Sequence, residues 1–271
     1  MSESNYMGLV RSLETLKINL LLEEFAAFAM ENGFSEKDIS AIDRTFSFLA
    51  QRKEQMTIDM MLRLSRLPRK NPKTFDNFRF DDVRGKDVDR LRSLPSLSAL
   101  HAHKNIAFIG PTGTGKTHLA MAFGHECYRQ KLKTYFIKMS ELNDMFSTAR
   151  RFGNEGKVIS NLVKPSCLII DEVGHCVFDA EKTRLFFDLV DRRYNKEGSF
   201  NMVFTSNTMP GTWRDKFNED DSLLCALDRI FDDAMLFKLS GQSHRGKRLE
   251  TIALTTSRSK LSVSSGTSTI D

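Results

Sequence analysis

The chain has 271 residues, 40% hydrophobic and 28% charged, with a net charge of +5 and a pI near 9.0. That length holds one good-sized core plus a smaller module, and that balance suits a globular chain rather than a disordered or fibrous one. No run approaches the ~18 apolar residues of a membrane span, and the opening MSESNYMGLVRSLETLK lacks a charged stretch followed by an apolar one, so a membrane partner is excluded and a cytoplasmic location expected. The modest positive excess fits an acidic partner such as nucleic acid without specifying one. Cys127, Cys167, Cys176 and Cys225 form no C-x-x-C pair, which reads as reduced core thiols, with metal ligation as the alternative.

Residues 6–67 read as all helix. Leu9, Leu13, Leu16 and Leu20 share one helical face. Asn32-Gly33 is a stop signal, and Ser35 followed by Asp38 opens a second helix carrying Ile39, Ile42, Phe46 and Leu49. A third stretch, near 54–67, carries Met56, Met60, Met61, Leu64 and Leu67 and ends at Pro68; core packing explains it without a cofactor. Arg63, Arg66, Arg69, Lys70 and Lys73 then follow with no acid among them, either a solvated linker or a contact to a phosphate backbone. The aromatic-acidic FDNFRFDDVRG is expected to lie against the next domain.

From Asn105 short apolar runs alternate with helical stretches. NIAFI, TYFIK, CLIID, NMVFT and AMLFK are the runs, with helices expected after Lys116, around 140–163, near 180–196 and near 222–232. This βα alternation predicts an α/β fold, a parallel five-stranded sheet covered by helices on both faces. The domains expected are a helical module over 1–70, an α/β domain over 71–250 and a tail over 251–271. In that tail 11 of 21 residues are Ser or Thr and no periodicity appears, so disorder is expected.

Gly110, Pro111, Thr112, Gly113, Thr114, Gly115, Lys116 and Thr117 spell GPTGTGKT, the P-loop pattern. Its chance occurrence in a chain of this size is about one per cent on average composition. It also follows a predicted strand and opens a predicted helix, as its mechanism requires. Glycines let backbone N–H groups wrap phosphates, and the helix N-terminus adds positive potential. Lys116 is placed to reach the β- and γ-phosphates and Thr117 to ligate Mg²⁺, so ATP and Mg²⁺ are the expected cofactors. His118, directly after the loop, is grouped with the nucleotide-binding residues.

Cys167 to Glu172 reads CLIIDE, an apolar strand ending in paired acids 55 residues after Lys116. Asp171 sits where a strand end approaches the Mg²⁺ shell, and Glu172 is placed to polarise an attacking water. Asn207, ending MVFTSN, suits a γ-phosphate sensor, with a plain turn as the alternative. Arg229 in ALDRIF and Arg245 in GQSHR come late. Either could steady charge on a transferring phosphoryl group, or form a surface ion pair.

This order of parts resembles the AAA+ class. LIIDEVG (168–174), FTSN (204–207), ALDRI (226–230) and GQSHR (241–245) are similar to the IstB-like transposition ATPases and their relatives, the DnaC-type helicase loaders. The likeness covers about residues 9–250, including the lead-in LSRLPRKNPKTFDNFRFDD. It implies an AAA+ P-loop fold behind a small helical domain, with Asn207 as sensor 1, Arg229 as an arginine finger acting in trans and Arg245 as sensor 2 in cis. It also implies an extra helix between the second and third strands near DNA, which makes Arg150, Arg151 and Lys157 candidate contacts. Gly174-His175-Cys176 departs from the family's glycine-tyrosine pair, and the Ser/Thr tail lies outside its pattern.

By this resemblance the chain is an ATPase that forms homo-oligomers on duplex DNA and assists a transposase. A helicase loader with the same catalytic residues is the alternative. A small-molecule kinase is a third reading, disfavoured by Glu172 beside Asp171 and by the late arginines, which suit water attack in an oligomer. Phe75, Phe78 and Phe80 lie near the place where adenine is expected.

Overall fold

The computed structural model describes residues 4–85, 87–217 and 221–241. Three helices open the chain: α1 (Ser4–Leu16), α2 (Leu22–Glu31) and α3 (Glu36–Leu64). The first helical stretch is shorter than the leucine periodicity predicts. Lys17 takes a left-handed φ of 61°, and Lys53 Nζ donates to the Leu16 carbonyl at 2.5 Å, so the end of α1 is capped by a cation from α3. Leu20 therefore falls in the connecting loop, exposed.

Ser35 caps α3 as expected. The Asp38 amide donates to Ser35 Oγ at 3.4 Å, and Asp38 Oδ2 accepts from the Ser35 amide at 2.8 Å. The Ser35 hydroxyl and amide hold the Asp38 carboxyl below its usual range. The second and third predicted helices are one 29-residue helix, because nothing in 50–54 interrupts the ladder. Its first half packs on α1 and α2 through Leu9, Leu13, Phe25 and Ile39. Just past its far end the chain meets the sheet: Leu67 is buried against α6, and Ser65 O accepts from Phe136 N at 2.8 Å. That bond covers the outer edge of an edge strand that would otherwise stand unpaired.

Two short helices, α4 (Val88–Arg92) and α5 (Ser98–His101), lead into the sheet. The strands are β1 (Ile106–Ile109), β2 (Thr134–Lys138), β3 (Cys167–Val173), β4 (Asn201–Ser206) and β5 (Met235–Lys238). The helices between them are α6 (Lys116–Arg129), α7 (Met139–Phe152), α8 (Glu155–Val163), α9 (Ala180–Tyr194) and α10 (Asp221–Phe231). All five strands are parallel in the order β2-β3-β4-β1-β5, so the expected α/β sheet is present, strand for strand.

Both faces are covered, which explains why the strands read as unbroken apolar runs. Ile106 and Phe108 of β1 and Ile169 of β3 turn toward α6, Leu67 and Leu100; Ala107, Ile109, Leu168 and Ile170 turn toward α7, α8 and α9. Each such side chain contributes about 1.5–3 kcal/mol on burial. The predicted aromatic segment packs here too, with Phe75, Phe78, Phe80 and Val83 against the α6 face.

Arg193 of α9 is buried without a carboxylate. Its Nη1 donates to the carbonyls of Leu162, Val163 and Pro165, and its Nη2 to those of Ser166 and Asn201, at 2.6–3.3 Å. It clasps the start of β3 to the start of β4. Burial pulls its pKa down to about 10.

The four thiols are free, but only Cys127 and Cys167 are core groups; Cys176 is half-buried and Cys225 exposed, since the latter sits on the outer side of α10. Among the described residues no His/Cys/Asp/Glu cluster suits a metal, and no helix is long and apolar enough to cross a membrane. The tail over 251–271 lies outside the described residues.

His125 of α6 is buried, with Nδ1 2.9 Å from Tyr128 Oη, and desolvation pulls its pKa down to about 4. An unfolded histidine titrates near 6.5, so below about pH 6.5 the unfolded chain binds the extra proton and folding loses stability until about pH 4. We expect urea unfolding to show a loss of about 1–2 kcal/mol between pH 7 and pH 5 that His125→Gln removes.

Candidate functional site

Residues 110–115 leave β1 at the C-terminal edge of the sheet and turn into α6. Glycine is required at both ends of the loop. Gly110 has φ +152°, and a Cβ there would lie 2.0 Å from Leu239 O; Gly115 has φ +94°, and a Cβ there would strike the Phe78 ring at 2.9 Å. Lys116 Nζ donates to Pro111 O at 2.7 Å, so the ammonium lies across the loop, and Thr114 Oγ1 donates to the same carbonyl at 2.8 Å.

The acids enter from β3. Its pairing with β4 slips between Ile170 and Val173, and Glu172 has φ 61°. A bulge with a left-handed, non-glycine residue is strained, and such strain persists only where surrounding bonds fix it. Thr205 of β4 supplies them. Its Oγ1 donates to Asp171 Oδ1 at 2.5 Å and accepts from Glu172 N at 3.0 Å. Thr117 Oγ1 donates to the same Asp171 oxygen at 2.8 Å. Burial raises the Asp171 carboxyl above its usual range; the two hydroxyls pull it back, and the Glu172 charge raises it.

Thr117 and Asp171 thus bring a hydroxyl and a carboxylate oxygen together beside the loop. A small divalent cation that keeps waters and takes its remaining ligands from phosphates needs little more from protein, so the donor set fits Mg²⁺. Glu172 points elsewhere: its Oε2 is 3.1 Å from Lys138 Nζ at the end of β2. Glu172 in turn raises the lysine's pKa.

A cleft of about 660 Å³ joins these parts. Thr112, Gly113, Lys116 and Thr117 form its floor, and Glu172, Thr205 and Asn207 one wall; Pro68, Lys70, Asn71 and Lys73 close the other side with Met121 of α6. The volume suits a nucleotide. Asn207 lies in the cleft with Nδ2 3.3 Å from His175 Nε2, so the histidine that departs from the resembled family's tyrosine is a cleft residue. His118 lines the same cleft, with its ring held against the linker: Nε2–H donates to Thr74 O at 2.8 Å and the ring meets Phe78 edge-on. Burial lowers its pKa, as does the Lys73 charge to a smaller degree.

Three sequence expectations change position. Phe75, Phe78 and Phe80 are half-buried in the core behind the loop and do not line the cleft; Pro68, Asn71 and Met121 do. Lys70 and Lys73, grouped by sequence with a phosphate-backbone contact, face the cleft beside the P-loop. Arg63 and Arg69 remain exposed, whereas Arg66 is bound to Glu141 at 2.8 Å. At the corner of α7 and α8, Arg150 pairs with Glu181, Arg151 lies over the exposed Phe152 ring, and Lys157 is exposed.

Arg229 is far from the P-loop of its own chain. It lines a separate cavity bounded by Asn105 and Met202, at the starts of β1 and β4, which is the opposite edge of the sheet from the P-loop. There Nη1 is 2.9 Å from Asp191 Oδ1, and the guanidinium lies over Phe187 and Tyr194. Arg245 lies outside the described residues. Sequence reasoning does not single out Thr205 or Lys138. A hydroxyl in an otherwise apolar strand is the only local signal for Thr205, and Lys138 resembles any lysine at the end of a strand.

The model of the IstB-like ATP binding proteins matches residues 12–251. The chain belongs to that family. A Geobacillus stearothermophilus protein named as an ATP-binding protein of insertion sequence IS5376 is 35% identical over 230 residues, covering 82% of this chain and 88% of that one. Its counterpart named for insertion sequence IS232 of Bacillus thuringiensis subsp. berliner is 30% identical over 251 residues, covering 90% and 96%. Among solved structures, the DnaC helicase loader superposes with a TM-score of 0.51 at 17% identity over 62% of this chain and 97% of that one, a likeness of fold. The fold is therefore the AAA+ P-loop fold, carried here by a member of the IstB-like ATP binding proteins.

Lys116→Ala removes the ammonium that lies across the loop while leaving the loop glycines intact. We expect ATP affinity, read by titration calorimetry, to fall at least roughly a hundredfold, the order of a charged hydrogen bond plus its desolvated partner. Unchanged affinity would contradict the assignment of the cleft.

Proposed function

We propose that the chain hydrolyses ATP with Mg²⁺ and uses the cycle to control its own assembly on duplex DNA, where it assists the transposase of the same insertion sequence. The observation that carries this reading is the placement of Arg229 and Lys116 at opposite edges of one sheet. An arginine that cannot reach its own nucleotide suits a neighbour's, and an ATP site completed between chains makes nucleotide state and assembly one equilibrium. The relatives named for insertion sequences supply the context of transposition.

In this reading the P-loop amides and Lys116 bind the β- and γ-phosphates, and Thr117 and Asp171 hold the metal, which neutralises charge on the phosphates. Glu172 orients the lytic water, and Asn207 senses the γ-phosphate from the end of β4. Arg245 acts in cis and Arg229 of the adjacent chain in trans. Exposed Arg63, Arg69, Arg151 and Lys157 contact the DNA backbone, a salt-sensitive interaction without base readout. The helical module over 1–70 presents a surface to the protein partner. Helicase loading has support only at the level of fold.

Two experiments test it. Glu172→Gln keeps the donor geometry but removes the base, so it is expected to bind ATP, hydrolyse it at least roughly a hundredfold more slowly and remain on duplex DNA in gel-shift assays. Rapid release in the presence of ATP would count against hydrolysis-driven dissociation. Arg229→Ala and Lys116→Ala are each expected to be inactive alone and to recover activity when mixed, because each supplies what the other lacks. Absence of recovery would place Arg229 in a structural role.

A further inference from the structure

His118 and His175 both line the cleft, and they are held differently. His118 of α6 spends its Nε2–H on Thr74 O at 2.8 Å, and desolvation disfavours its charged form. His175 lies in the turn that follows β3. Gly174 bends that turn with a left-handed φ of 95°, and the His175 amide donates to Glu172 O at 3.2 Å. The turn leaves the imidazole exposed, with Nε2 3.3 Å from Asn207 Nδ2. A carboxamide nitrogen donates and never accepts, so Nε2 is the acceptor in this contact and the ring is neutral, with its proton on Nδ1. A second proton changes both partners. Nε2–H then needs an acceptor, and the carboxamide supplies one by turning Oδ1 toward the ring, which sends Nδ2 the other way.

We infer that His175 takes up a proton when a γ-phosphate enters the cleft, and that this proton helps the site to tell ATP from ADP. The inference rests on the reading of Asn207 as the γ-phosphate sensor and gives that sensor a titratable positioning residue. An ionised phosphate oxygen accepts and does not donate, so Asn207 meets it through Nδ2. A protonated His175 holds the carboxamide in that orientation, and a neutral one competes for the same N–H. Charge acts in the same direction, because an imidazolium beside Asn207 attracts the extra negative charge that ATP carries and ADP lacks. The other charged or titratable groups around the ring are Lys116 and His118 of α6, Lys70 and Lys73 of the linker, Glu172 of β3, and Lys216, whose stem passes Gly174. Histidine is the side chain whose charge changes in the neutral range, so the coupling operates where the lysines and the glutamate keep their charge. The coupling is reciprocal: the proton strengthens γ-phosphate binding by the same factor as the γ-phosphate strengthens proton binding.

Calorimetry on the full chain reads the proton directly. A non-hydrolysable ATP analogue and ADP are each titrated with saturating Mg²⁺, in two buffers of different ionisation enthalpy. The analogue is expected to draw a fraction of a proton more than ADP does. Its affinity relative to ADP is expected to fall roughly three- to tenfold from about pH 6 to about pH 8, the range of a partly exposed hydrogen bond to a charged group. His175→Gln keeps a hydrogen-bonding partner for Asn207 and cannot titrate, so the extra proton and the pH dependence are both expected to vanish with the thermal midpoint unmoved. No extra proton in the unaltered chain, or the same excess in His175→Gln, would overturn the role of His175. Asn207→Ala tests the underlying reading separately. Loss of the preference for the analogue over ADP upholds the sensor, whatever His175 does; an unchanged preference overturns the sensor and the inference with it.

Discussion

The Thr205 hydroxyl donates to the Asp171 carboxylate and accepts from the Glu172 amide, and the rest of the site is arranged around those two bonds. Adjacent residues of a regular strand point to opposite faces, so paired acids on β3 would normally be split between the two covered faces of the sheet. The bulge breaks that alternation. It keeps Asp171 buried beside Thr117 and lets Glu172 emerge into the cleft. A left-handed glutamate costs on the order of 1–3 kcal/mol, and a threonine from the neighbouring strand offsets it by satisfying an amide that the slipped ladder leaves unpaired. Two acids with different environments are then available from one dipeptide: one desolvated and hydroxyl-bound, one partly exposed and ion-paired.

The strand order places this bulge where it is useful. β3 and β1 flank β4, so the acids and the P-loop open side by side at the carboxyl edge of the sheet, where ligands bind in open parallel sheets. The same parallel geometry sends the start of every strand to the far edge. Arg193 clasps that edge by five backbone carbonyls, and Arg229 is held just beside it by Asp191, Phe187 and Tyr194. The arginine is therefore presented on a rigid support, and its reach is set by α9 and α10 rather than by a loose loop.

What is legible in the sequence is what local chemistry decides. GPTGTGKT is readable because its glycines, lysine and threonine act within eight consecutive residues. The strands are readable because burial on both faces leaves uninterrupted apolar runs, and the Ser35 cap because its partner is three residues away. The features that sequence misplaces depend on distant partners. Leu16 ends α1 because Lys53 reaches back from α3, a contact that no window of sequence contains. The bulge at Glu172 needs Thr205, which is 33 positions later. Phe78 is close to the P-loop, as its expected role against adenine requires, but it approaches from behind, where its ring fills the space that Gly115 leaves open.

The basic stretch after α3 divides in a way its composition conceals. Lys70 and Lys73 line the nucleotide cleft, Arg66 is engaged by Glu141, and Arg63 and Arg69 face solvent. A triphosphate in the cleft brings several negative charges close to Lys70 and Lys73, and lowers the positive potential that the same stretch offers to DNA. In the proposed function, then, nucleotide and nucleic acid act against each other electrostatically within one chain. If ATP strengthens DNA binding, the gain must come from surface contributed by neighbouring chains, each adding its own Arg63, Arg69 and α7–α8 corner to a common track. The counterion-release slope would grow with the number of chains engaged rather than with the affinity of any one of them. The ATP site proposed here, completed by Arg229 of a neighbour, meets that requirement, because occupancy of the cleft then favours the assembled state over the single chain.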